Sequence, residues 1–309
     1  MKVLLPASGG EMVEFGDVSQ PCPASDEALV RVEAFSVNRG ETFLLERPPA
    51  GWRPGKDVAG LVVEAAADGS GPAVGTRVVG HPPAAGWAEY AAVPTASIAS
   101  LPEQISAITA AALPLAGLTA LRLVRLASQT AGGITGRQIL LTGASGGVGH
   151  YFTELAANAG AEVTAITGSA DRGARLTSLG AHAILREVAA AIGPFDLVLE
   201  SVGAGSMPEA LGKLRPGGTL IWFGQASRQP VTLNFFDLLY GATSATIRHF
   251  SYQDFPVPFG QDLATLTRLV AAGQLHPEIG RIADWADTGT VLNDLRDRRI
   301  LGNAVLTIS

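Results

Sequence analysis

The stretch that decides the fold is LLTGASGGVG, residues 140–149. An apolar run ends there in a turn rich in glycine, and a helical pattern, GVGHYFTELAANAG, follows at once. A strand that feeds a glycine turn at the start of a helix is the context of the dinucleotide fingerprint G-x-G-x-x-G. Alanine replaces the first glycine here, and the aligned positions are Ala144, Ser145, Gly146, Gly147, Val148 and Gly149.

Two of these glycines have separate physical reasons to be there. Gly146 would let the backbone approach a pyrophosphate, and Gly149 would allow the helix to pack closely on the strand. The first amides of the helix, at the positive end of its dipole, would face the phosphates. A purely structural turn is the alternative interpretation. The turn is not a P-loop, because no Gly-Lys-Ser/Thr follows it.

The surrounding pattern favours the nucleotide interpretation. From about residue 105 onwards, strand-like and helix-like segments alternate: RQILLTGA, AEVTAITG, AHAIL, FDLVLESVG and GTLIWFG are the strands. This alternation predicts a doubly wound α/β domain, with a parallel sheet and helices on both faces. The segment ATIRHFSY follows as a further strand, which could be an unpaired edge that pairs with a second copy in a homodimer.

The regions before and after this alternation have a different sequence pattern. Residues 1–105 consist of short β-branched runs punctuated by glycine and proline, and two helical patterns and a last strand, NAVLTIS, follow Phe250. We therefore predict one β-rich domain from residues 1–108 and 252–309, and a dinucleotide-binding domain from residues 109–251.

Composition narrows the class of protein. The chain has 309 residues and a formal net charge of −6, so no broad basic face is available for nucleic acid or a membrane surface. The single cysteine, Cys22, cannot form an internal disulfide or a cysteine-based zinc site. The first apolar run is too short for a signal peptide, and Pro114 interrupts the longest one, which predicts a cytoplasmic protein.

A second family uses a similar glycine pattern. Thr142-Gly143-x-x-x-Gly147-x-Gly149 also fits short-chain dehydrogenases, which carry the motif near the N-terminus and a Tyr-x-x-x-Lys pair downstream. Here the motif lies in mid-chain, and no downstream tyrosine has a lysine four residues later. That interpretation is rejected.

The whole chain resembles the zinc-independent, zeta-crystallin-like quinone oxidoreductases of the medium-chain dehydrogenase/reductase superfamily. The landmarks, in order, are AFSVNRGETFLL, RPGKDVAGLV, AGWAEYAAVP, LPLAGLTAL, LTGASGGVG and LGNAVLTIS. The resemblance implies a GroES-like catalytic domain beside a Rossmann domain.

The resemblance also implies where zinc would bind, and the chain departs from the family pattern there. Asn38 and Lys56-Asp57 occupy the positions of a cysteine and a His-Glu pair, and the four-cysteine lobe is missing. The five histidines are scattered. Without thiolate or imidazole ligands we expect no metal. Hydride chemistry without a Lewis acid favours an electrophilic acceptor, a quinone or an enone.

The end of the second strand indicates the cofactor. NAD sites place an acid there, whereas this strand ends in Ile166-Thr167-Gly168-Ser169. Arg172 follows, and the resemblance implies that Ser169 and Arg172 bind a ribose phosphate, as Ser and Lys do in the family. We therefore predict NADPH as the cofactor. A solvated helix arginine is the alternative.

The resemblance implies further cofactor contacts at Asn38 and Thr119, near the nicotinamide, and at Asn303. Gly203 and the pair Phe223-Gly224 end the fourth and fifth strands, and the carboxyl ends of such strands line the cofactor crevice. Asn38 is also the predicted catalytic residue, although a turn-forming asparagine is its plain alternative. The wall of the substrate site could include Phe43, Trp52, Trp87 and Phe250, although aromatic residues belong to the core at least as often.

Three functions remain open at this point. The first is an NADPH-dependent reductase of quinones or α,β-unsaturated carbonyls. The second is an enoyl-thioester reductase, which the family equips with a tyrosine proton donor where this chain has Phe43. The third is a non-catalytic NADPH-binding protein.

Overall fold

The computed structural model describes residues 1–7 and 11–309. The chain divides into two compact units, Met1–Leu118 with Pro256–Ser309, and Thr119–Phe255. The first unit includes the short helix at Ala107–Ala111, which packs against its strands.

The N-terminal part of the first unit is mostly strand. Its elements are β1 (Lys2–Pro6), β2 (Val13–Asp17), β3 (Glu27–Val37), α1 (Arg39–Glu46), β4 (Val58–Glu64), β5 (Arg77–Gly80), β6 (Tyr90–Pro94), β7 (Ile98–Ser100) and α2 (Ala107–Ala111). Helix α3 (Pro114–Ala131) then carries the chain into the second unit.

The second unit alternates strands and helices as the sequence predicts. It contains β8 (Gln138–Leu141), α4 (Gly147–Asn158), β9 (Glu162–Ile166), α5 (Ala170–Ser178), β10 (Ala183–Leu185), β11 (Phe195–Glu200), α6 (Ser206–Leu211), β12 (Leu214–Trp222), α7 (Phe235–Tyr240) and β13 (Thr246–His249). The chain returns to the first unit with α8 (Phe259–Ala271), β14 (Ile279–Asp284), α9 (Thr288–Arg296) and β15 (Asn303–Thr307).

The sheet of the second unit has the strand order β10-β9-β8-β11-β12-β13, and every pairing is parallel. In sequence order this is 3-2-1-4-5-6, the Rossmann order, so the predicted doubly wound fold is confirmed. The order reverses between β8 and β11. Ligands of such sheets bind outside the carboxyl ends of the strands at that point.

The sheet of the first unit is mostly antiparallel. Its order is β14-β15-β3-β4-β5-β7, with β6 also pairing with β3, and only β14 and β15 run parallel. The core beneath it includes Phe35, Trp87 and Trp285. This is the β-rich domain that the sequence predicts.

One helix of the first unit differs from the prediction. The sequence predicts strands and turns throughout residues 1–105, but α1 begins directly after Asn38. It has only eight residues and buries just Glu41, Thr42 and Leu45, so its apolar periodicity is too short to recognise. Among the described residues, no helix combines the length and apolar character that crossing a membrane requires.

Candidate functional site

The glycine turn follows β8 and opens α4. Gly143 has a φ of +64°, a left-handed conformation that favours glycine, and the Ala144 amide donates to Ile166 O at 3.1 Å. A Cβ at Gly149 would lie 2.3 Å from Ala144 O, so helix and turn can approach this closely only with glycine. Ala144, in place of the first glycine, is fully buried.

The turn fits the phosphates of a dinucleotide. A Cβ at Gly146 would meet only Gly143 O, at 3.5 Å, so the outer side of the turn is open to a ligand. The first amides of α4, from Gly147 onwards, have no carbonyl partner within the helix, and at the positive end of the helix dipole they could donate to a bound anion.

An arginine and two serines meet beside this turn. Ser169 caps α5 and accepts the Arg172 amide at 3.3 Å, while Arg172 Nε donates to Ser145 Oγ at 3.2 Å. The partly buried Arg172 therefore reaches across from α5 to the glycine turn. Gly168, just before Ser169, is exposed at the end of β9. The group offers a cation and hydroxyls to an anionic ligand.

The loops after β11 and β12 lie against each other. Gly203 has a φ of +76°, and a Cβ there would lie 2.8 Å from the Gln225 side chain. A Cβ at Gly224 would lie 3.2 Å from Ser201. Phe223 continues β12, since its amide donates to Glu200 O at 2.9 Å. The fold thus brings together the predicted residues Gly203, Phe223 and Gly224 at the carboxyl ends of β11 and β12.

Two other predicted residues of this unit are buried. Phe250 directly follows β13, donates its amide to Trp222 O at 2.9 Å and packs on Phe255 with ring centroids 5.8 Å apart. Thr119 lies on α3 and is also buried.

In the first unit, Asn38 belongs to a buried polar network centred on Asp57. The Asp57 carboxylate accepts hydrogen bonds from Ser36 Oγ at 2.5 Å, Asn38 Nδ2 at 2.7 Å and the Leu115 amide at 3.0 Å. His81 Nδ1 lies 3.3 Å from the same carboxylate. Asn38, at the end of β3, is therefore held by a carboxylate rather than by solvent, and Asp57 is a residue whose contribution the sequence did not reveal.

Glu41 is the second carboxylate of this region. It accepts the amides of Asn38 at 2.9 Å and Gly55 at 3.0 Å. Complete burial, followed by the nearby negative charge of Asp57, raises the pKa of Glu41 to about 8. Glu41 is thus mostly protonated at neutral pH. The spacing of Asn38 and Glu41 is that of a capping box, which could have signalled the first contact, whereas the fold brings the Gly55 amide from 14 residues away.

The other residues predicted for the site differ in how deeply they are buried. Phe43 on α1 is half-buried, and Trp52 packs on the first-unit core while remaining partly exposed. Asn303, at the start of β15, donates from Nδ2 to Glu278 O at 3.1 Å. Trp87 is only 1% exposed, stacks on Phe35 and donates from Nε1 to Ser36 O. It is a core residue without a free face, so we withdraw it from the substrate wall.

The donor groups do not fit zinc. In the described ranges, 1–7 and 11–309, no group of three or more His, Cys, Asp or Glu side chains could hold a metal ion. At the positions implied for ligands stand the Asn38 amide, the Lys56 ammonium and the Asp57 carboxylate, which is already engaged by its neighbours. An ammonium cannot ligate a cation, and no thiolate is present at these positions.

Comparisons with known proteins agree with this architecture. The family model described as the alcohol dehydrogenase GroES-like domain matches residues 24–103, and the one described as zinc-binding dehydrogenase matches residues 147–271. The chloroplast envelope quinone oxidoreductase homolog of Arabidopsis thaliana is 36% identical over 191 residues, 57% of this chain and 57% of that protein.

Two further relatives match over more of their length. The quinone oxidoreductase of Pongo abelii is 28% identical over 281 residues, 85% of this chain and 83% of that protein. A mycobacterial protein whose native structure was solved in complex with NADPH is 25% identical, with a TM-score of 0.88 and coverage of 99% of both chains. The chain belongs to the medium-chain dehydrogenase/reductase superfamily, in its quinone oxidoreductase branch.

Proposed function

We propose that the protein is a zinc-independent, NADPH-dependent reductase that transfers a hydride to a quinone or an α,β-unsaturated carbonyl. The observation that carries this proposal is the glycine turn at the head of α4, with Arg172 held against Ser145 beside it. The names of the relatives support the reaction, and the NADPH-bound mycobacterial structure supports the cofactor.

The proposed roles divide between the domains. Residues 109–251 would bind the dinucleotide, and residues 1–108 with 252–309 would bind the acceptor. The amides of Gly147 and Val148 would hold the pyrophosphate, and Gly146, which has no side chain, would let the backbone approach it closely. Ser145, Ser169 and Arg172 would hold the ribose phosphate. A bidentate guanidinium suits a phosphate, and this is the basis of the proposed preference for NADPH over NADH.

Bound NADPH would supply the hydride from its nicotinamide C4. Asn38 would hold the nicotinamide end by hydrogen bonds, with Asp57 fixing its amide. Thr119, Gly203, Phe223, Gly224 and Asn303 would border the cofactor, and Phe43, Trp52 and Phe250 would border the acceptor. Orientation and exclusion of water supply the acceleration, and the proton for the product would come from water or a cofactor hydroxyl.

We also propose a homodimer formed through β13. This strand is the last of its sheet, all four of its residues are exposed, and the neighbouring helix α7 exposes Phe235 by 68% and Tyr240 by 82%. Pairing with β13 of a second copy would satisfy the open strand edge and cover apolar surface. A monomer in sedimentation at micromolar concentration would contradict this. The cytoplasmic location stays a prediction from the sequence.

The test of the reaction uses NADPH deuterated at C4. The protein is mixed with this cofactor and a panel of quinones and enones, and NADPH oxidation and product deuterium are both measured. Deuterium in the reduced product is expected for one face of the nicotinamide ring. NADPH that binds tightly but is oxidised by no acceptor would instead identify a non-catalytic NADPH-binding protein.

A further inference from the structure

The last residue of β11, Glu200, is fully buried and collects four donors. Its Oε1 accepts Thr142 Oγ1 at 3.0 Å and Ser206 Oγ at 2.8 Å, and its Oε2 accepts the amides of Val202 at 3.0 Å and Gly203 at 2.9 Å. Both oxygens must act as acceptors, a requirement that an ionised carboxylate meets and a glutamine amide does not.

Burial removes the Glu200 carboxyl group from water, which disfavours its ionised form. Desolvation raises the pKa of Glu200, and the hydrogen bonds from Gly203, Ser206, Thr142 and Val202 act in the opposite direction. A buried carboxyl group with this many converging donors rigidifies the backbone that supplies them. The location of that backbone is what gives Glu200 a role.

Glu200 lies where the strand order of the parallel sheet reverses, between β8 and β11. Thr142, its hydroxyl donor, is the first residue after β8 and the last before the positive-φ Gly143. The Thr142 hydroxyl oxygen also accepts the Ser201 amide at 2.9 Å, and Ser201 Oγ donates back to Thr142 O at 3.1 Å. The ends of β8 and β11 are thus locked together directly under the glycine turn.

The same carboxylate fixes the loop after β11. The amides of Val202 and Gly203 are held by Glu200, and the adjoining carbonyls of Ser201 and Val202 accept the amides of Ala226 and Ser227, both at 2.8 Å. The loop after β12 therefore rests on a loop whose shape Glu200 sets.

We propose that Glu200 is a positioning residue for the nicotinamide cofactor. It acts through Thr142 on the glycine turn and through Val202 and Gly203 on the opposite side of the crevice, without touching the cofactor. This inference rests on the proposed function, because a dinucleotide is what would lie across these strand ends. Fixing both sides before binding removes an ordering cost that the cofactor would otherwise have to overcome.

The test compares NADPH dissociation constants, measured by calorimetry, in four single variants and in the double variant Glu200→Gln/Thr142→Val. Glu200→Gln keeps the shape and turns one oxygen into a donor, Thr142→Val removes the hydroxyl, and Thr142→Ser restores it. Glu154→Gln, which changes a buried glutamate further along α4, is the matched control. Melting temperature is recorded for each variant without cofactor.

We expect Glu200→Gln and Thr142→Val to weaken NADPH binding about 10-fold each, and Thr142→Ser and Glu154→Gln to stay within about twofold of wild type. The double variant should bind no worse than the weaker single variant, because both changes break one linkage. The KM for the quinone at saturating NADPH should not change.

Wild-type affinity in Thr142→Val would overturn the proposal, even if Glu200→Gln did not fold. Equal weakening in Glu154→Gln would also overturn it, since any loss of stability would then have the same effect. A wild type that binds NADPH but reduces no acceptor would contradict the proposed reaction and leave this inference standing. A wild type that binds no nicotinamide nucleotide would refute both.

Discussion

Each unit buries a glutamate, and the two glutamates are satisfied to different degrees. Glu200 of the parallel sheet meets two hydroxyls and two backbone amides. Glu41 of the β-rich unit meets two backbone amides and lies near a second carboxylate, Asp57. Burial raises the pKa of both groups, and for Glu41 it reaches about 8. Fold context, and not residue type, decides how readily a buried glutamate ionises.

The comparison predicts that Glu41 of the β-rich unit makes the free energy of unfolding depend on pH more strongly than Glu200 does. The pKa of Glu41 rises from 4.5 in the unfolded chain to about 8 in the fold. Its stabilising contribution is therefore full below pH 4.5 and is lost as pH rises through about 8. The total loss is on the order of 5 kcal/mol.

Urea unfolding of wild type and Glu41→Gln at pH 5, 7 and 9 would measure this effect. Wild type should lose stability relative to the variant as pH rises, because the glutamine cannot ionise. A constant difference between the two proteins across this range would show that Glu41 is already ionised at pH 5 or that its burial costs little.

A second contrast concerns glycines. Gly149→Ala should destabilise the protein by about 3 kcal/mol and weaken NADPH binding, since the new methyl group would collide with the Ala144 backbone. Gly40→Ala in α1 meets no atom within 4 Å and should stabilise the protein by about 0.5 kcal/mol. Thermal unfolding of both variants checks this. Equal effects would mean that the turn adjusts without strain.

A third prediction separates phosphate recognition from helix stability. Arg172→Ala should weaken NADPH binding by about 1.5–3 kcal/mol and leave NADH binding nearly unchanged, because only NADPH carries the ribose phosphate. Arg175→Ala on the same helix is the control, since Arg175 donates to Ser178. Calorimetric titration of both nucleotides decides the matter. Equal losses for NADPH and NADH would assign Arg172 to the fold.

The smallest effects are expected for Cys22, which lies outside the hydrogen-bond networks of Asp57 and Glu200, and for removal of metal ions. Cys22→Ser should leave turnover and melting unchanged, because Cys22 is exposed and free. Treatment with a chelator should also change neither, since the positions implied for zinc hold an amide, an ammonium and an engaged carboxylate. Elemental analysis that finds about one zinc per chain would contradict the second expectation.

Local patterns predicted much of the parallel sheet. The strands around LLTGASGGVG, the helix after it and the proximity of Ser169 and Arg172 follow from alternation and from the geometry of a strand–turn–helix unit. Helix α1 was not predicted, because its eight residues show too little apolar periodicity to be recognised. Trp87 was misjudged because an aromatic residue has the same appearance in a core and in a pocket.

The sequence by itself determined the fold class and the position of the glycine turn, because apolar periodicity and turn residues act between neighbours in the chain, and its ordered landmark segments indicated the family. Only the tertiary structure decided which carboxylates are buried and what holds them. Glu200 meets Thr142 from 58 residues away, and Asp57 meets Asn38 across 19 residues. Such pairs arise where the end of one strand lies beside the end or the start of another strand. The desolvation and hydrogen bonding that result set ionisation and rigidity, and they have no signature in local sequence.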